Sequence, residues 1–242
     1  MISKASVRYI KSLQDKKQRQ KYSQFIVEGE KSITELLKSR FNVVSIYALK
    51  EWLDSVDINF KKVKVEELSY DELKQISSHQ SPQKALALVD IPEVLPLNSS
   101  ENIILALDEI QDPGNLGTII RIADWYGIKH IVCSKGCTDV YNPKCINSTM
   151  GSFLRVNVVY ADIVTSAEVL NLPLMVAVLN GQNIHSKDLP KRGMLVIGNE
   201  GHGINSDIIE AAKEHLTIPR FGGAESLNAA VSTAILLDNL IR

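Results

Sequence analysis

The sequence predicts an α/β protein in two parts: a small N-terminal α/β domain and a larger C-terminal domain built on a parallel sheet. The chain has 242 residues, of which 45% are hydrophobic and 23% are charged. This composition suits one large or two small globular domains and is too apolar for a disordered chain. In the second part, short apolar strands alternate with helical segments, and a proline-containing connector separates it from the first part.

The first domain is predicted over residues 1–97. Residues 28–40 place apolar side chains at helical spacing. Three short runs are typical of strands: 43–49, 61–65 and 85–91. The run IPEVLPLNSSE contains two prolines and an Asn-Ser-Ser cluster, so we expect the domain boundary between residues 92 and 101.

The second domain is predicted over residues 98–242. Its expected strands are 102–108, 130–133, 171–180, 194–198 and 215–219. Its expected helices begin near Leu116, Asn205 and Ser226 and end near Trp125, Glu214 and Ile241. Apolar strands that alternate with helices predict a parallel sheet with helices on both faces.

The first 21 residues are strongly basic, with seven cationic side chains against Asp15 alone. A basic segment of this kind binds a polyanion such as RNA through its phosphates, or it forms the solvated face of an amphipathic helix. Charge alone leaves both interpretations open. The candidate RNA-binding residues are Lys4, Arg8, Lys11, Lys16, Lys17, Arg19 and Lys21.

The three cysteines, Cys133, Cys137 and Cys145, are expected to be buried thiols, because an odd number in a chain of this size does not indicate a disulfide framework. With His130 they form no CxxC pair and no complete ligand set, so no metal site is predicted. The apolar run Ile103–Leu107 is among the longest and is too short to span a membrane. Without a secretory signal, the expected location is the cytoplasm, with no membrane partner.

Three polar, glycine-bearing loops follow strands in the second domain, which is where open α/β sheets bind ligands. In the first loop, residues 112–117, two glycines allow the backbone to approach a ligand closely, and the Asn115 side chain supplies a hydrogen-bond donor and an acceptor. Arg121 follows on the next helix and lies in its second turn if that helix begins near Leu116. The competing interpretation is a tight turn in which Asn115 is the N-cap and Arg121 is solvated.

The second loop, residues 198–204, places Glu200 between glycines at the end of a strand. It is neither a GxGxxG fingerprint nor a phosphate-binding P-loop, which disfavours a dinucleotide-dependent enzyme. The third loop, residues 218–228, leads into the last helix. We expect Ser226 to be the N-cap of that helix, which would leave Asn228 in the first turn without a capping role.

The ordered set NxGxxxR, GNEGxGI and IP…SLN resembles the three motifs of the SpoU/TrmH-type RNA ribose 2′-O-methyltransferases of the SPOUT superfamily. This resemblance covers residues 102–242. The stretch FIVEGEK, residues 25–31, resembles the family's ribosomal-protein-like substrate-binding domain. The chain is therefore identified as a member of this family, with an RNA substrate-binding domain over 1–97 and a SPOUT methyltransferase domain over 98–242.

The resemblance implies a trefoil knot in the C-terminal domain, although general rules of chain topology argue against knots. It also implies a homodimer with its active site beside the knot, and S-adenosylmethionine as the cofactor, held by backbone groups of three loops. The implied cofactor-binding residues are Leu179, Asn180, Gly181, Ile197, Gly198, Gly201, Ile218 and Leu227.

The implied reaction is an in-line attack of a ribose 2′-hydroxyl on the methyl carbon of the sulfonium. A hydroxyl is a poor nucleophile until its proton is removed or its developing charge is stabilised. The resemblance assigns this task to Arg121, and because arginine stays protonated we favour electrostatic stabilisation. Glu200 is a candidate partner of Arg121, within one subunit or across two. The other implied catalytic residues, which orient the arginine and the ribose, are Asn115, Ser226 and Asn228.

The expected substrate is 23S ribosomal RNA, because minimal transfer-RNA members of the family usually lack an N-terminal domain. A transfer-RNA 2′-O-methyltransferase remains an alternative. A non-catalytic RNA-binding assembly factor of the same fold is a further alternative, and the complete set of polar motif residues argues against it.

Overall fold

The computed structural model describes residues 1–56, 63–97, 102–186 and 188–241. They form two compact units: the first comprises Met1–Glu93 and Tyr141–Leu154, and the second comprises Val94–Val140 and Arg155–Arg242. Part of the predicted strand 61–65 and part of the predicted connector 92–101 lie outside the described residues. Within the described ranges, no helix has the length and apolar character needed to cross a membrane.

Ten strands and ten α-helices are assigned in the described ranges. The strands are β1 (Gln24–Glu28), β2 (Val43–Ala48), β3 (Lys64–Glu67), β4 (Ala85–Asp90), β5 (Ile103–Leu107), β6 (His130–Cys133), β7 (Asn157–Tyr160), β8 (Leu174–Asn183), β9 (Gly193–Ile197) and β10 (Glu214–Thr217). The helices are α1 (Lys4–Ser12), α2 (Lys16–Tyr22), α3 (Glu30–Leu36), α4 (Lys50–Leu53), α5 (Tyr70–Ile76), α6 (Pro113–Trp125), α7 (Pro143–Thr149), α8 (Ile163–Leu170), α9 (Ser206–Ala211) and α10 (Ala229–Ile241).

The first unit is built on a four-stranded sheet in the order β1-β4-β2-β3. The pairs β1/β4 and β2/β4 are antiparallel, and β2/β3 is parallel. Successive side chains of a strand point to opposite faces of its sheet. Phe25 and Val27 accordingly pack into one buried cluster, and Ile26 packs into another. The sheet therefore has an apolar core on each face.

The segment Tyr141–Leu154 packs with the first unit, although the predicted boundary assigned it to the second domain. Ile146 and Phe153 are buried in the cluster around Phe25. The ring centroid of Phe25 lies 4.6 Å from that of Tyr141 and 6.1 Å from that of Phe153. Burial of these apolar side chains places the segment, and local sequence patterns carry no information about such a distant packing partner.

The basic N-terminal segment folds into α1 and α2, and six of its seven predicted RNA-binding side chains are exposed: Lys4, Arg8, Lys11, Lys16, Lys17 and Lys21. Arg19 is the exception and corrects the prediction. Its side chain is 2% exposed, and Nη1 donates hydrogen bonds to the carbonyl oxygens of Leu13 and Gln14, each at 2.8 Å. A buried cation requires such hydrogen-bond acceptors. Arg19 therefore stabilises the turn between the two helices.

The second unit contains a six-stranded sheet in the order β10-β8-β9-β5-β6-β7, and every neighbouring pair is parallel. All residues of β5 and β9 are buried, as expected for central strands covered on both faces. The predicted α/β class and parallel sheet are confirmed.

The predicted burial of the cysteines is also confirmed, since all three are buried and none is disulfide-bonded. Among the described residues, no cluster of three or more His, Cys, Asp or Glu side chains could hold a metal ion.

Candidate active site

The first predicted loop leads into α6 earlier than expected. Pro113 is the first helical residue, and the N-cap is Asp112, whose Oδ1 accepts a hydrogen bond from the Asn115 amide at 2.9 Å. Proline suits this position because its fixed φ fits a helix and its missing N–H has no partner there. Asn115 is therefore not the N-cap, and Arg121 lies in the third turn of the helix instead of the second.

The third predicted loop reaches α10 later than expected. The helix begins at Ala229, and Asn228 Oδ1 accepts hydrogen bonds from the amides of Ala230 and Val231 at 3.0 and 3.3 Å. Asn228 is therefore the N-cap, which corrects the assignment of that role to Ser226. Asparagine and serine are about equally good caps, so propensity could not separate them.

A chain of side-chain hydrogen bonds joins the three motifs. Asn228 Nδ2 donates to Asn115 Oδ1 at 2.9 Å, and Asn115 Nδ2 donates to a carboxylate oxygen of Glu200. Asn228 uses its oxygen for the helix cap and its nitrogen for Asn115, so one amide serves both purposes. The motif residues that the sequence singled out in three separate loops thus meet in space.

Asn199 shapes the second loop, and sequence reasoning did not single it out. Its Oδ1 accepts from the amides of Gly201 and His202 at 2.7 and 3.2 Å, and its Nδ2 donates to the Glu109 carbonyl at 2.8 Å. An asparagine that binds the backbone two residues ahead is the signature of an Asx turn, and the sequence Asn-Glu-Gly carries that signal. The turn presents Glu200 to Asn115.

Gly198 is required by close packing within the same loop. A Cβ atom at this position would lie 2.5 Å from the carbonyl carbon and oxygen of Gly203 and 2.6 Å from Ile204 Cγ1. Only glycine allows the loop to close on itself at this distance.

The loop inside β8 bulges out of the sheet. In the pairing of β8 with β10, Val176 stands opposite His215 and Gln182 opposite the next residue, Leu216, so residues 177–181 have no partner in the register. A Cβ atom on Gly181 would lie 2.4 Å from the His215 carbonyl oxygen, which explains a glycine where the chain rejoins the sheet. Leu179, at the bulge, is 70% exposed.

The bulge of β8 and the second and third motif loops line a cleft of about 850 Å³ at the carboxyl ends of β9 and β10. Small-molecule sites commonly have volumes of about 300–1,000 Å³. All but one of the predicted cofactor-binding residues line the cleft: Leu179, Asn180, Ile197, Gly198, Gly201, Ile218 and Leu227. Gly181 is the exception, and its close approach to β10 gives it a structural role. Glu200 and Ser226 also line the cleft.

Arg121 is exposed, is not among the residues that line this cleft, and makes no hydrogen bond or ion pair with any other residue in the described ranges. Within the described residues of one chain, Glu200 therefore does not pair with Arg121, and its partner is Asn115. A guanidinium without such a partner keeps all its donors available to an anion.

Two family models match the chain. The SpoU rRNA Methylase family matches residues 102–238, and the MRM3-like substrate binding domain matches residues 4–87. The chain belongs to the SpoU rRNA methylase family. The family predicted from the sequence, that of S-adenosylmethionine-dependent RNA 2′-O-methyltransferases, is confirmed.

Individual relatives match over nearly the whole chain. The chain is 33% identical over 234 residues to the 23S rRNA (guanosine(2553)-2′-O)-methyltransferase RlmP of Bacillus subtilis, covering 95% of this chain and 93% of that protein. A TrmH-family protein from Porphyromonas gingivalis superposes with a TM-score of 0.88 at 33% identity, covering 99% and 98% of the two chains. The AdoMet-bound rRNA methyltransferase of Sinorhizobium meliloti superposes with a TM-score of 0.88 at 25% identity, covering 99% and 95%.

The cleft fits S-adenosylmethionine in size and chemistry. Leu179 and Leu227 line it and are 70% and 45% exposed, so they give it accessible apolar surface. Gly198 fixes the shape of one wall of the cleft, because its Cβ position is occupied by Gly203 and Ile204. A site built from apolar side chains and backbone groups needs no dinucleotide fingerprint.

Proposed function

We propose that the protein transfers the methyl group of S-adenosylmethionine to a ribose 2′-hydroxyl of 23S ribosomal RNA. The observation that carries this proposal is the hydrogen-bonded chain of Asn228, Asn115 and Glu200, which joins the three motif loops. The second and third of these loops line a cleft of suitable size. The choice of 23S RNA follows the Bacillus subtilis relative, which is named for that substrate and matches nearly the whole chain.

The proposed chemistry divides between cofactor and protein. Bound S-adenosylmethionine supplies an electrophilic methyl carbon on a sulfonium. The ribose 2′-oxygen gains a bond to that carbon and loses its proton, and the carbon–sulfur bond breaks. Negative charge develops on the oxygen as the proton leaves, so a fixed cation beside it lowers the barrier.

Arg121 is the residue that we assign to this stabilisation. A guanidinium carries five N–H donors and no acceptor, so we assign it the role of a donor and not of a base. We assign the proton to a phosphate of the RNA or to water. Asn115, Glu200 and Asn228 then act as positioning residues that hold the loops around the ribose, and Ser226 lines the same cleft.

A homodimer is part of this proposal. Apolar side chains outside the cleft stay exposed on α10: Val231 48% and Ile241 44%. A helix face of this kind is stabilised by association, and in a dimer a partner subunit could place further groups beside Arg121. We also propose the trefoil knot, which the resemblance to the SPOUT superfamily implies; α10 packs against α6 after the chain leaves the edge strand β10.

The six exposed cations of α1 and α2 are proposed to contact RNA phosphates, which would position the substrate without reading its sequence. An enzyme that acts on ribosomal RNA works where ribosomes are assembled, so we propose that it is cytoplasmic.

The test is methyl transfer from labelled S-adenosylmethionine to ribosomal and transfer RNA from a strain that lacks the protein. Alkaline cleavage requires a free 2′-hydroxyl, so a methylated nucleotide becomes resistant to it. We expect one new resistant position in 23S RNA. Resistance in transfer RNA alone would overturn the assignment of substrate, and cofactor binding without any resistant position would favour an assembly factor.

Arg121→Ala tests the assignment of the arginine. We expect turnover to fall about 100- to 1,000-fold, as when one donor to a developing oxyanion is removed, with unchanged affinity for S-adenosylmethionine by calorimetry. Arg121→Lys is the matched variant that keeps the charge and loses the planar fork. Near-normal turnover of Arg121→Ala would contradict the assignment.

A further inference from the structure

The first unit contains a second cleft, of about 560 Å³, formed by three segments that are far apart in the sequence. All of its lining residues except Pro143 have polar side chains, and none of them is acidic: Gln14, Ser78, His79, Asn142, Pro143, Lys144, Asn147 and Ser148. None of them belongs to the three motifs of the methyl-transfer cleft.

Two buried charged side chains hold two of these segments in place. Arg19, 2% exposed, binds the carbonyl oxygen of Gln14 in the turn between α1 and α2. Glu28, 8% exposed, accepts hydrogen bonds from the hydroxyl of Ser77 at 2.5 Å and from the amide and hydroxyl of Ser78 at 2.7 and 2.5 Å. Burying a charge is costly unless it is paired in this way. The same two side chains fix the backbone that lines the cleft.

The third segment is α7, which presents an amide and a cation on one wall. Asn147 Nδ2 lies 3.0 Å from His79 Nε2. When the amide donates, the imidazole Nε2 accepts and Nδ1 carries the proton. No other residue in the described part of the chain hydrogen-bonds to the Asn147 side chain, so its carbonyl oxygen and second N–H can serve another partner. Lys144, one turn earlier on the helix, is exposed.

We propose that this cleft binds one unpaired nucleotide of the RNA substrate, with a phosphate at Lys144 and a base edge at the pair formed by Asn147 and His79. The inference rests on the proposed function, which supplies RNA as the substrate. Amide and imidazole groups can both donate to and accept from a base edge, and lysine binds phosphate as a point charge.

The geometry favours an unpaired nucleotide over a duplex. In an A-form helix the major groove is too narrow for side chains, whereas an unpaired base exposes its whole hydrogen-bonding edge. The volume of the cleft lies in the usual range for a small ligand. The exposed cations of α1 and α2, in the same unit, would attract the flanking phosphates.

The test measures binding of the full-length protein, saturated with S-adenosylmethionine, to a fluorescein-labelled mixed-sequence RNA of about 20 nucleotides. The same RNA annealed to its complement is the second probe. The variants are Lys144→Ala and Asn147→Ala, with Lys38→Ala, an exposed lysine of the same unit outside the cleft, as the matched control.

For Lys144→Ala we expect a slope of log K against log salt that is smaller by about 0.7, which is the loss of one phosphate contact on a single strand. For Asn147→Ala we expect single-strand affinity to fall about tenfold, the effect of one base-edge contact, and duplex affinity to change less than about twofold. Lys38→Ala should change neither. In methyl transfer to 23S RNA, the KM for RNA should rise in the cleft variants while kcat stays constant.

Asn147→Asp keeps the side-chain volume and places a carboxylate in the cleft. It therefore tests the same contact if the alanine variant fails to fold. We expect it to bind single-stranded RNA more weakly than Asn147→Ala. If the wild type binds RNA and every cleft variant matches it within about twofold with an unchanged salt slope, the inference is overturned. An equal loss on single strand and duplex would also overturn it. If the wild-type protein neither binds nor methylates RNA, the proposed function itself is overturned.

Discussion

Asn228 serves as a helix cap and as a donor to Asn115, and two substitutions separate these roles. Its Oδ1 accepts two backbone amides of α10 at 3.0 and 3.3 Å, and its Nδ2 donates to Asn115 at 2.9 Å. Replacing a good N-cap by alanine costs about 1 kcal/mol, and a lost hydrogen bond costs about 0.5–1.5 kcal/mol. Asn228→Ala should therefore lower the free energy of unfolding by about 1.5–2.5 kcal/mol.

Asn228→Asp keeps the cap, because a carboxylate oxygen accepts the same amides and a negative charge is favourable at a helix N-terminus. It cannot donate to Asn115, however, and it places a second carboxylate near Glu200. We expect the free energy of unfolding to fall only by about 0.5–1.5 kcal/mol, the cost of the lost hydrogen bond to Asn115 without the loss of the cap. We expect a loss of kcat/KM of about tenfold or more, since 1.4 kcal/mol corresponds to a factor of ten.

The assays are urea unfolding and methyl transfer to 23S RNA, with Ser226→Ala as the matched control. In the described residues Ser226 makes no capping hydrogen bond to α10, so Ser226→Ala should change the urea midpoint little, at a constant m value. The reasoning is refuted if Ser226→Ala destabilises as much as Asn228→Ala. It is equally refuted if Asn228→Asp destabilises the protein as much as Asn228→Ala does, or if it retains full activity.

Three further predictions concern other parts of the chain. Gly198→Ala should abolish measurable calorimetric binding of S-adenosylmethionine, because its Cβ would lie 2.5 Å from Gly203; wild-type affinity would contradict this. Arg19→Leu should lower the free energy of unfolding by about 1–3 kcal/mol, because it leaves buried carbonyl groups without a donor; an unchanged urea midpoint would contradict it. Hydrogen bonds from the backbone and hydroxyl of Ser69 hold the pKa of Glu72 below its ordinary value. The carboxylate therefore stabilises the fold above that ordinary value and loses this effect as the pH falls through the lowered pKa. The stability difference between wild type and Glu72→Gln should accordingly be constant at neutral pH and shrink in acid; a difference independent of pH would contradict this.

Much of the second unit could be predicted from sequence, because its signals are local. The run His130–Cys133 is a strand with the predicted bounds, and β9 differs from its predicted range by one residue at each end. Apolar runs of strand length that alternate with helices are typical of a parallel sheet that is buried on both faces. The three motif loops were predicted for the same reason, because each is recognised from the glycine and polar residues that directly follow a strand.

Helix starts were predicted less well. Asp112 and Asn228 cap their helices, whereas N-cap propensity favours the neighbouring residues Asn115 and Ser226 about equally. Which polar side chain becomes the cap depends on where the chain enters the helix, and that is decided by packing on both sides of the loop.

The sequence by itself determined the fold class, the family, the three motif loops and the set of residues from which a cofactor cleft could be built. The tertiary structure alone decided which of them touch. It joined Asn115 to Asn228 across 113 positions, buried Arg19 within an otherwise exposed basic segment, and packed Tyr141–Leu154 with the first unit. Periodicity and turn chemistry depend on neighbours a few positions away, whereas burial and side-chain pairing depend on residues that only folding brings close.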